Sequence, residues 1–577
     1  MPVAPAESAR AGPTSCARPE LLRVRNVLGE AAVVGFVALL VSVVITWPLV
    51  LSLDDHAHDP YDPLFQAWSI DWVQHALSSG DTIADGNIFA PNARTHAYSD
   101  PLVSLAIVLL PLRWVGMSPV GLVNVTLLGA YATSAAAGYV FARITTRRRL
   151  IGACCAAVFA FGPYNAQLAQ HAYLAAHAGP AVAAAAAWRL ADRRARGERT
   201  WPSQLVLAVT VALNATTSFY LAVFTVTAAI VVLAVRWRSV FWRGAATAVA
   251  AVAAGAVAAL PVAWPYLQNA REVDGFEWEL SGLGFNAAHF GMVDPTLTLW
   301  GGLLGSPRAL FTQATFPGLT VIALTLLGVW RWITLRRKRV DPTLTSALGT
   351  AVALVLTGGV LALGADASGW RQYTPYRLLF ELVPGFSALR ASGRFWLIGL
   401  LGCGVLAGAA VQWLVHRLRA VTPSWHRHVL PALAGAVIVA LVVAEGYRPW
   451  DDRVEATPAT VDRVLAGLDR PGGVVYVPMP DPDEGLGVLS QARVTYGTTA
   501  HHRRTPNGYG GFTPDSFKEI QEVVARLPER DAVDALRAIG VRFVVVDRGS
   551  TSLRDPTTAS PLRFIGDFDG DLLYELP

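Results

Sequence analysis

Cysteine is scarce in this sequence, with four residues in 577. Cys154, Cys155 and Cys403 lie within apolar runs, and Cys16 lies in a polar N-terminal stretch. This spacing provides neither a disulfide framework nor a CxxC metal site. No apolar run precedes Cys16, so a lipoprotein signal is not predicted, and the first apolar segment is long enough to remain as an anchor.

Charge is also scarce, because charged residues make up 15% of the chain whereas hydrophobic residues make up 53%. A chain of this length and apolarity does not fit one soluble core, so the composition predicts a mainly α polytopic membrane protein. The formal net charge of +5 is small for 577 residues. It is explained by basic loops as readily as by a basic binding surface, so nucleic acid is not expected as a partner.

Apolar runs of roughly 17 to 25 residues are the length that crosses a bilayer, and about eleven spans are predicted here. They lie near 31–50, 119–141, 150–164, 172–190, 202–216, 218–235, 244–265, 315–334, 343–364, 395–415 and 429–447. The run at 101–116 is short and contains Pro111, so its assignment depends on the charges of the loops.

Lys and Arg clusters in short loops mark the cytoplasmic side of a membrane protein. The clusters lie at 23–25, 143–149, 193–199, 236–243, 336–339 and 417–427. All fall on one side if 101–116 does not cross, so that run is predicted to be a juxtamembrane or re-entrant helix. The expected protein lies in the plasma membrane. It has a cytoplasmic tail at 1–30, a multi-span domain at 31–448 with an outer loop at 51–118, and an extracytoplasmic C-terminal domain at 449–577.

The segment 449–577 differs in composition from the membrane-spanning part of the chain. It contains DRPGGVVYVPMP, PDSFKEIQEVVARL and RDAVDALRAIGVRFVVVD, in which Val-rich runs alternate with amphipathic helical spacing. This pattern predicts a small α/β domain outside the bilayer.

The first outer loop is unusually acidic. Its carboxylates include Asp54, Asp55, Asp59, Asp62, Asp71, Asp81 and Asp85. Phe65, Trp68 and Trp72 recur at helical spacing after Asp62-Pro63, which predicts an amphipathic helix at the membrane interface with Trp at headgroup level.

Asp62 fits a structural role as the N-cap of that helix, and it also fits a general base that takes a proton from an acceptor hydroxyl. Asp55 and Asp59 are rival candidates for the base. Asp55, His56, His58 and Asp59 leave a divalent metal site, with Mg or Mn, open as an alternative.

The late outer loop at 366–394 is basic instead. Arg371, Arg377, Arg390 and Arg394 stand beside or between spans. Arginine binds phosphate through a two-pronged fork, so Arg390, Arg394 and Arg371 are predicted to bind a phosphate group, although snorkelling to lipid headgroups is the alternative.

Polar residues at other outer turns are candidates for lining a sugar site. These are Tyr164, His171, Tyr220 and His289, and packing at the ends of spans is the alternative for each. In the loop at 266–314, Glu272, Asp274, Glu277, Glu279 and Asp294 could supply a second carboxylate, with no spacing that selects one.

Several strings resemble those of GT-C type integral membrane glycosyltransferases of bacteria. They are DPYDPLFQAWSIDW, GNIFAPNARTHAYSDPL, FGPYNAQLAQHAYL, LVPGFSALRASGRF, NGYGGFTPDSF and LRAIGVRFVVVD. The resemblance implies a polyprenyl-phosphate-linked sugar donor, a glycan, lipid or protein acceptor in the cell envelope, and an essential Asp in the first outer loop. That Asp corresponds best to Asp62, in the string DPLFQAW, and no matching DxD stands in this loop, so a required metal is not implied.

The implied reaction is inverting sugar transfer, with Asp62 as base and Arg390 and Arg394 on the leaving phosphate. Two other functions remain open from the sequence. A transporter or flippase of lipid-linked glycans predicts ionisable residues within the spans, which are nearly free of charge here. A non-catalytic assembly protein that binds cell-envelope glycans predicts loop carboxylates that do not converge.

Overall fold

The computed structural model describes residues 17–273, 287–310, 314–366, 369–383, 386–389, 391–421, 429–451, 453–547, 549 and 561–577. Most of these residues are helical. The helices are α1 (Ala17–Ile45), α2 (Asp62–Ser79), α3 (Val103–Trp114), α4 (Pro119–Thr146), α5 (Arg149–Phe161), α6 (Pro163–Leu168), α7 (Ala172–Ala175), α8 (Ala178–Ala195), α9 (Trp201–Ala215), α10 (Phe219–Val235), α11 (Trp237–Glu272), α12 (Gly301–Leu304), α13 (Leu319–Lys338), α14 (Pro342–Ala362), α15 (Pro375–Leu382), α16 (Trp396–Val421), α17 (Val429–Glu445), α18 (Thr460–Gly467), α19 (Gly485–Gly497), α20 (Asp515–Ala525) and α21 (Arg530–Ala538).

Six helical segments in the described part of the chain are long and apolar enough to cross a membrane, which indicates a membrane protein. They are Arg25–Ile45, Pro119–Thr146, Trp237–Glu272, Leu319–Lys338, Pro342–Ala362 and Ser392–Ala420. Each of the eleven predicted spans overlaps a helix, but several of these helices are shorter than 18 residues, so the number of crossings stays a prediction. The helix α3 has 12 residues. At about 1.5 Å per residue it is too short for a hydrocarbon core of roughly 30 Å.

The arginine-rich connections between helices lie at one end of the helix bundle. Arg148 Nη2 lies 2.6 Å from Asp341 Oδ2, and Arg236 Nη2 lies 2.5 Å from Asp192 Oδ1. These ion pairs join residues that begin or end different helices, so the basic loops meet on one side of the bundle as the charge pattern predicts. The side of the membrane that this end faces stays a prediction.

The C-terminal segment contains a four-stranded sheet with the order β3-β4-β6-β5. The strands are β3 (Gly473–Val477), β4 (Val541–Asp547), β5 (Arg563–Phe568) and β6 (Asp571–Glu575). The strands β3 and β4 are parallel, β4 and β6 antiparallel, and β6 and β5 antiparallel. Outside this sheet, the short strand β1 (His56–Ala57) pairs antiparallel with β2 (Val454–Glu455), so the first loop is joined to the start of the C-terminal segment.

The helix α2 does not lie at a lipid interface. Residues 63–74 are all buried, and both indole N–H groups find partners inside the protein. Trp68 donates to Asn87 Oδ1 at 2.8 Å, and Trp72 donates to the carbonyl of Ile83 at 3.0 Å. The prediction that these Trp residues stand at headgroup level is therefore wrong, because protein rather than lipid covers the helix.

The first loop and the C-terminal segment share one apolar core, which explains this burial. Its residues include Phe65, Trp68, Phe89, Val475, Phe517 and Val544. Two aromatic side chains of α2 and one of the following loop thus pack against the sheet and the helix α20. The C-terminal segment is held against the first loop by this core and by the β1–β2 pairing.

Candidate active site

A cavity of about 380 Å³ lies where the first loop, the ends of several bundle helices and the C-terminal segment meet. Most of its wall is apolar, with a small set of polar side chains. They include Asp62, Asp100, His171, Tyr220, Arg394 and Tyr509. Apolar cavities with a few convergent polar groups are typical binding sites, so this cavity is the candidate active site.

Asp62 is the first residue of α2, and its side chain is 28% exposed to the cavity. The residue at the N-cap position is Tyr61, and no side chain caps the helix there. The predicted capping role of Asp62 is therefore wrong. Its carboxylate instead accepts a hydrogen bond from Tyr509 Oη at 2.9 Å and lies 3.2 Å from His171 Nε2.

The same ring nitrogen of His171 also lies 3.1 Å from Arg394 Nη2. A guanidinium only donates, so its contact requires a lone pair on Nε2, whereas the contact with Asp62 requires a proton on Nε2. One nitrogen satisfies only one of these contacts at a time. The site therefore brings a carboxylate and a guanidinium to the same nitrogen of one imidazole, and no ion pair joins the two directly.

The Arg394 guanidinium lies over the Tyr220 ring, 4.7 Å from its centroid. Tyr220 is itself held in place, because its hydroxyl accepts a hydrogen bond from the Ala391 amide at 2.9 Å. Among the described residues, no carboxylate oxygen forms a salt bridge with Arg394. The stacked arginine is thus oriented toward the cavity and retains hydrogen-bonding capacity for an anion.

Asp100 is a second carboxylate of the cavity that the sequence did not single out. Its Oδ2 accepts a hydrogen bond from Tyr173 Oη at 2.7 Å, and its Oδ1 accepts one from the Phe219 amide at 3.2 Å. Burial raises the pKa of Asp100 above its usual value, and these hydrogen bonds partly offset the increase. The signal that could have found it is the Asp-Pro pair that precedes α3, in the same loop as Asp62.

A family model for a domain of unknown function, DUF6311, matches residues 72–401, which is more than half of the chain. The chain belongs to the DUF6311 family. The matched residues include His171, Tyr220 and Arg394, whereas Asp62 and Tyr509 lie outside the matched range. No curated protein matches this DUF6311 member.

Comparison with solved structures indicates the fold. The cryo-EM structure of the arabinofuranosyltransferase AftD from Mycobacteria matches with a TM-score of 0.55 and 14% identity, over 95% of this chain and 40% of AftD. The DUF6311 member thus spans about two fifths of the AftD chain. The crystal structure of ArnT from Cupriavidus metallidurans matches with a TM-score of 0.47 and 14% identity, over 94% of this chain and 97% of ArnT. The expected GT-C fold is confirmed by the likeness to AftD.

The rival carboxylates do not line the cavity. Asp55 is 59% exposed and pairs with the neighbouring His56 at 2.9 Å. Asp59 lies deeper, where it accepts hydrogen bonds from the Tyr61 amide at 3.0 Å and from Gln170 Nε2 at 3.4 Å. Burial raises the pKa of Asp59 to about 6, and the nearby charge of Asp62 contributes to the same increase.

Of the predicted phosphate-binding arginines, the structure brings only Arg394 to the cavity among the described residues. Arg371 does not reach it, because its guanidinium lies 3.6 Å from Asp366 and donates to the carbonyl of Ala365 at 3.0 Å. Arg390 lies outside the described residues. The turn that carries Arg394 is short and buried on both sides, which fixes the side chain.

His171 and Tyr220 line the cavity as predicted, whereas Tyr164 and His289 do not. Tyr164 is buried and donates to the carbonyl of Gly393 at 3.3 Å, so it supports the turn next to Arg394 from behind. His289 is buried outside the cavity. Of the carboxylates proposed in the loop at 266–314, Asp274, Glu277 and Glu279 lie outside the described residues. Glu272 pairs with Arg94, and Asp294 caps its own turn by accepting from the Thr296 amide at 2.8 Å.

The alternative of a metal site at Asp55, His56, His58 and Asp59 does not fit the geometry. His58 Nδ1 lies 2.9 Å from Asn124 Oδ1 and its Nε2 lies 2.9 Å from the carbonyl of Ala169, so both ring nitrogens are engaged inside the protein. Within the described part of the chain, no three His, Cys, Asp or Glu side chains form a cluster that could hold a metal ion.

Proposed function

We propose that this protein is a membrane glycosyltransferase that moves a sugar from a polyprenyl-phosphate-linked donor to a hydroxyl-bearing acceptor of the cell envelope. The observation that carries the proposal is the placement of Asp62 and Arg394 in one cavity, where both contact His171 Nε2. A carboxylate that faces a cation across a cavity provides a base for the attacking group and a binding group for an anionic leaving group.

In the proposed reaction, the acceptor hydroxyl gives its proton to Asp62 and its oxygen forms a bond with the anomeric carbon. The bond between that carbon and the phosphate oxygen breaks, and polyprenyl phosphate leaves with the electron pair. Arg394 stabilises the phosphate through charge-assisted hydrogen bonds. We propose a single displacement, in which the acceptor oxygen attacks the face of the carbon opposite the leaving phosphate and the configuration is inverted.

The cavity wall supports a lipid-linked donor. On the bundle side it is formed by apolar residues of the helices α10 and α11, including Val223, Ala263, Leu267 and Ala270. The helix α11 contains one of the segments apolar enough to cross a membrane, so this wall continues into the bilayer region. A phosphate at Arg394 would therefore be presented at the depth where a polyprenyl chain enters the lipid.

We infer that the reaction takes place on the outer face of the plasma membrane. The cavity is built from the loops predicted to be outside, and the arginine-rich loops meet elsewhere, at the basic end of the bundle. With the N-terminus inside, the positive-inside pattern then places the cavity and the C-terminal segment on the extracytoplasmic side.

The test is sugar transfer by the purified full chain in lipid nanodiscs, with a panel of radiolabelled polyprenyl-phosphate sugars and an extract of cell-envelope acceptors. We expect transfer by the wild type and a decrease of about 10²- to 10⁴-fold in Asp62→Asn, because general base catalysis contributes roughly this much. The matched control is Asp55→Asn in the same loop, which removes an exposed carboxylate outside the cavity and should leave the rate unchanged. Thermal unfolding of both variants checks that folding is intact. Normal transfer by Asp62→Asn would show that another group is the base.

A further inference from the structure

The segment 505–512, with the sequence TPNGYGGF, lies between the C-terminal sheet and the first loop. On the sheet side it is held by Asn507, whose amide oxygen accepts from the Tyr476 amide at 2.9 Å and whose amide nitrogen donates to the Tyr476 carbonyl at 3.1 Å. Both polar groups of one side chain are thus used to fix the segment along the edge of β3.

On the opposite side, the same segment is hydrogen-bonded to the backbone of the first loop. The amide of Phe89 donates to the carbonyl of Asn507 at 3.0 Å, and the amide of Ala90 donates to the carbonyl of Thr505 at 2.9 Å. The amide of Thr505 donates in turn to the carbonyl of Asn87 at 2.7 Å. Backbone hydrogen bonds in both directions fix the distance between the C-terminal segment and the cavity loop.

Glycine permits this close approach at two positions. A Cβ atom at Gly508 would lie 2.8 Å from the ring of Phe89, and a Cβ atom at Gly511 would lie 2.8 Å from the carbonyl oxygen of Tyr98. Real side chains do not tolerate such distances, so the segment can press against the loop only with glycine there. The two glycines flank Tyr509 and bring it to the cavity wall.

The side chain of Tyr509 then reaches the first residue of α2. Its ring packs edge-on against Phe65, with centroids 5.9 Å apart and an interplanar angle of 87°, and its hydroxyl donates to Asp62 Oδ1 at 2.9 Å. Asp62 makes no helix-capping bond that would fix its carboxylate. Its other contact, with His171 Nε2, involves a nitrogen that Arg394 also approaches.

We propose that Tyr509 is a positioning residue, through which the C-terminal segment orients the Asp62 carboxylate for sugar transfer. The inference rests on the proposed function. By holding Oδ1, the phenol keeps Oδ2 on the His171 side of the cavity, where it is proposed to take the proton of the acceptor hydroxyl, and a base held in one orientation avoids the loss of rate that a freely rotating carboxylate would cause. The C-terminal segment is thus part of the active site, although its sheet lies outside the helix bundle.

The experiment compares Tyr509→Phe with Tyr476→Phe in the full chain, in the same nanodisc assay. The two tyrosines form a matched pair, because Tyr476 also donates its hydroxyl to a carboxylate, Asp462 Oδ1, at 2.6 Å, but inside the C-terminal segment. We expect kcat to fall about 10-fold in Tyr509→Phe with the KM for the donor unchanged, since a hydrogen bond to a charged group is lost at the base alone. Tyr476→Phe should retain the wild-type kcat while its unfolding temperature decreases.

A double variant shows whether Tyr509 acts through Asp62. In the Asp62→Asn background, Tyr509→Phe should cause no further loss of rate, because the base that it orients is already absent. A further tenfold loss there, or an unchanged kcat in the single variant, would overturn the positioning role. An unchanged kcat in Tyr509→Phe together with an inactive Asp62→Asn would leave the proposed function intact. Normal transfer by Asp62→Asn, or no transfer by the wild type, would overturn both the positioning role and the proposed function.

Discussion

The helix α2 carries two carboxylates with opposite environments. Asp71 is 3% exposed, and its oxygens lie 2.9 Å from Arg113 Nη2 and 2.8 Å from His502 Nε2. Asp62, at the start of the helix, is 28% exposed and faces the cavity, with an imidazole and a phenol as neighbours. A buried carboxylate paired with arginine holds the structure together, whereas one that faces a cavity without a paired cation is available to take a proton.

Both ends of α2 are in contact with the C-terminal segment. At the Asp71 end, the ring of His502 stacks on His75, with centroids 3.7 Å apart and planes 5° from parallel. At the Asp62 end, the contact is the hydroxyl of Tyr509. The C-terminal segment therefore fixes the helix at one end and its first carboxylate at the other, and the two ends should respond differently to substitution.

After the loss expected at Asp62 itself, the largest effect is expected at Arg394, a cation of the cavity, as Arg113 is the cation of the Asp71 pair. Arg394→Ala should lower kcat about 10²- to 10³-fold, because a charge-stabilising group that contacts the leaving phosphate is lost. Arg394→Lys should recover part of this rate, since it keeps the charge but not the fork. Steady-state transfer from the polyprenyl-phosphate donor measures both variants.

Arg113→Ala is the control for this experiment, because it removes an arginine outside the cavity. It should lower stability and leave the kcat of the folded protein unchanged. A normal kcat in Arg394→Ala would show that Arg394 is structural, like Arg113, and the contrast between the two ends would be lost.

At Asp71 the expected loss is in stability. Asp71→Asn removes the buried partner of Arg113, whose side chain is 37% exposed, so the expected cost is about 1–3 kcal/mol. Thermal unfolding in nanodiscs should show a much lower unfolding temperature, with an unchanged kcat for the fraction that remains folded. Asp81→Asn is the matched control, since Asp81 is 55% exposed and its partners are His75 at 3.4 Å and the Ser79 hydroxyl at 2.7 Å, with no arginine among them. A stable but inactive Asp71→Asn protein would contradict the assignment of Asp71 to structure.

The smallest effect is expected at Asp59, whose environment is intermediate between the cavity position of Asp62 and the buried pair of Asp71. Burial raises its pKa from 3.8 to about 6, so its contribution to stability is fully present below pH 3.8 and is lost as the pH rises through about 6. Asp59→Asn should therefore be more stable than the wild type at pH 7.5, by about 1 kcal/mol after allowance for its partial exposure. The advantage should disappear near pH 4.

Unfolding temperatures of the wild type and Asp59→Asn between pH 4 and pH 8 test this prediction. The difference between the two curves isolates Asp59 from the other titrating groups. Equal curves across this range would show that Asp59 is solvated like Asp55.

Several features of the site could be predicted from local sequence. Asp62 stands before Pro63 at the head of a helix, Arg394 stands at the start of an apolar run, and His171 and Tyr220 stand at turns between such runs. These positions follow from where helices begin and end, so the sequence could place the side chains at the same edge of the bundle. The resemblance placed Asp62 first, but the sequence could not exclude Asp55 or Asp59, because contact with the cavity depends on how the loop is packed.

The residues that the sequence analysis missed are those whose role depends on distant contacts. Tyr509 reaches Asp62 only because the segment 505–512 is held between β3 and the first loop. The same packing buries α2, whose Trp spacing by itself fits an interfacial helix equally well. Helical periodicity records which residues share a face, but it does not record whether lipid or protein covers that face.

The sequence by itself determined that this chain is mainly helical and embedded in a membrane, because the length and apolarity of a segment decide whether it can bury its backbone in lipid. Its loops also determined which residue types are available for chemistry. Only the tertiary structure decided that Asp62 and Arg394 both contact His171, that Asp71 pairs with Arg113, and that Tyr509 reaches Asp62. These outcomes depend on contacts between distant segments, which are up to 447 residues apart for Tyr509 and Asp62, and packing and hydrogen bonding there select one carboxylate among several of the same kind.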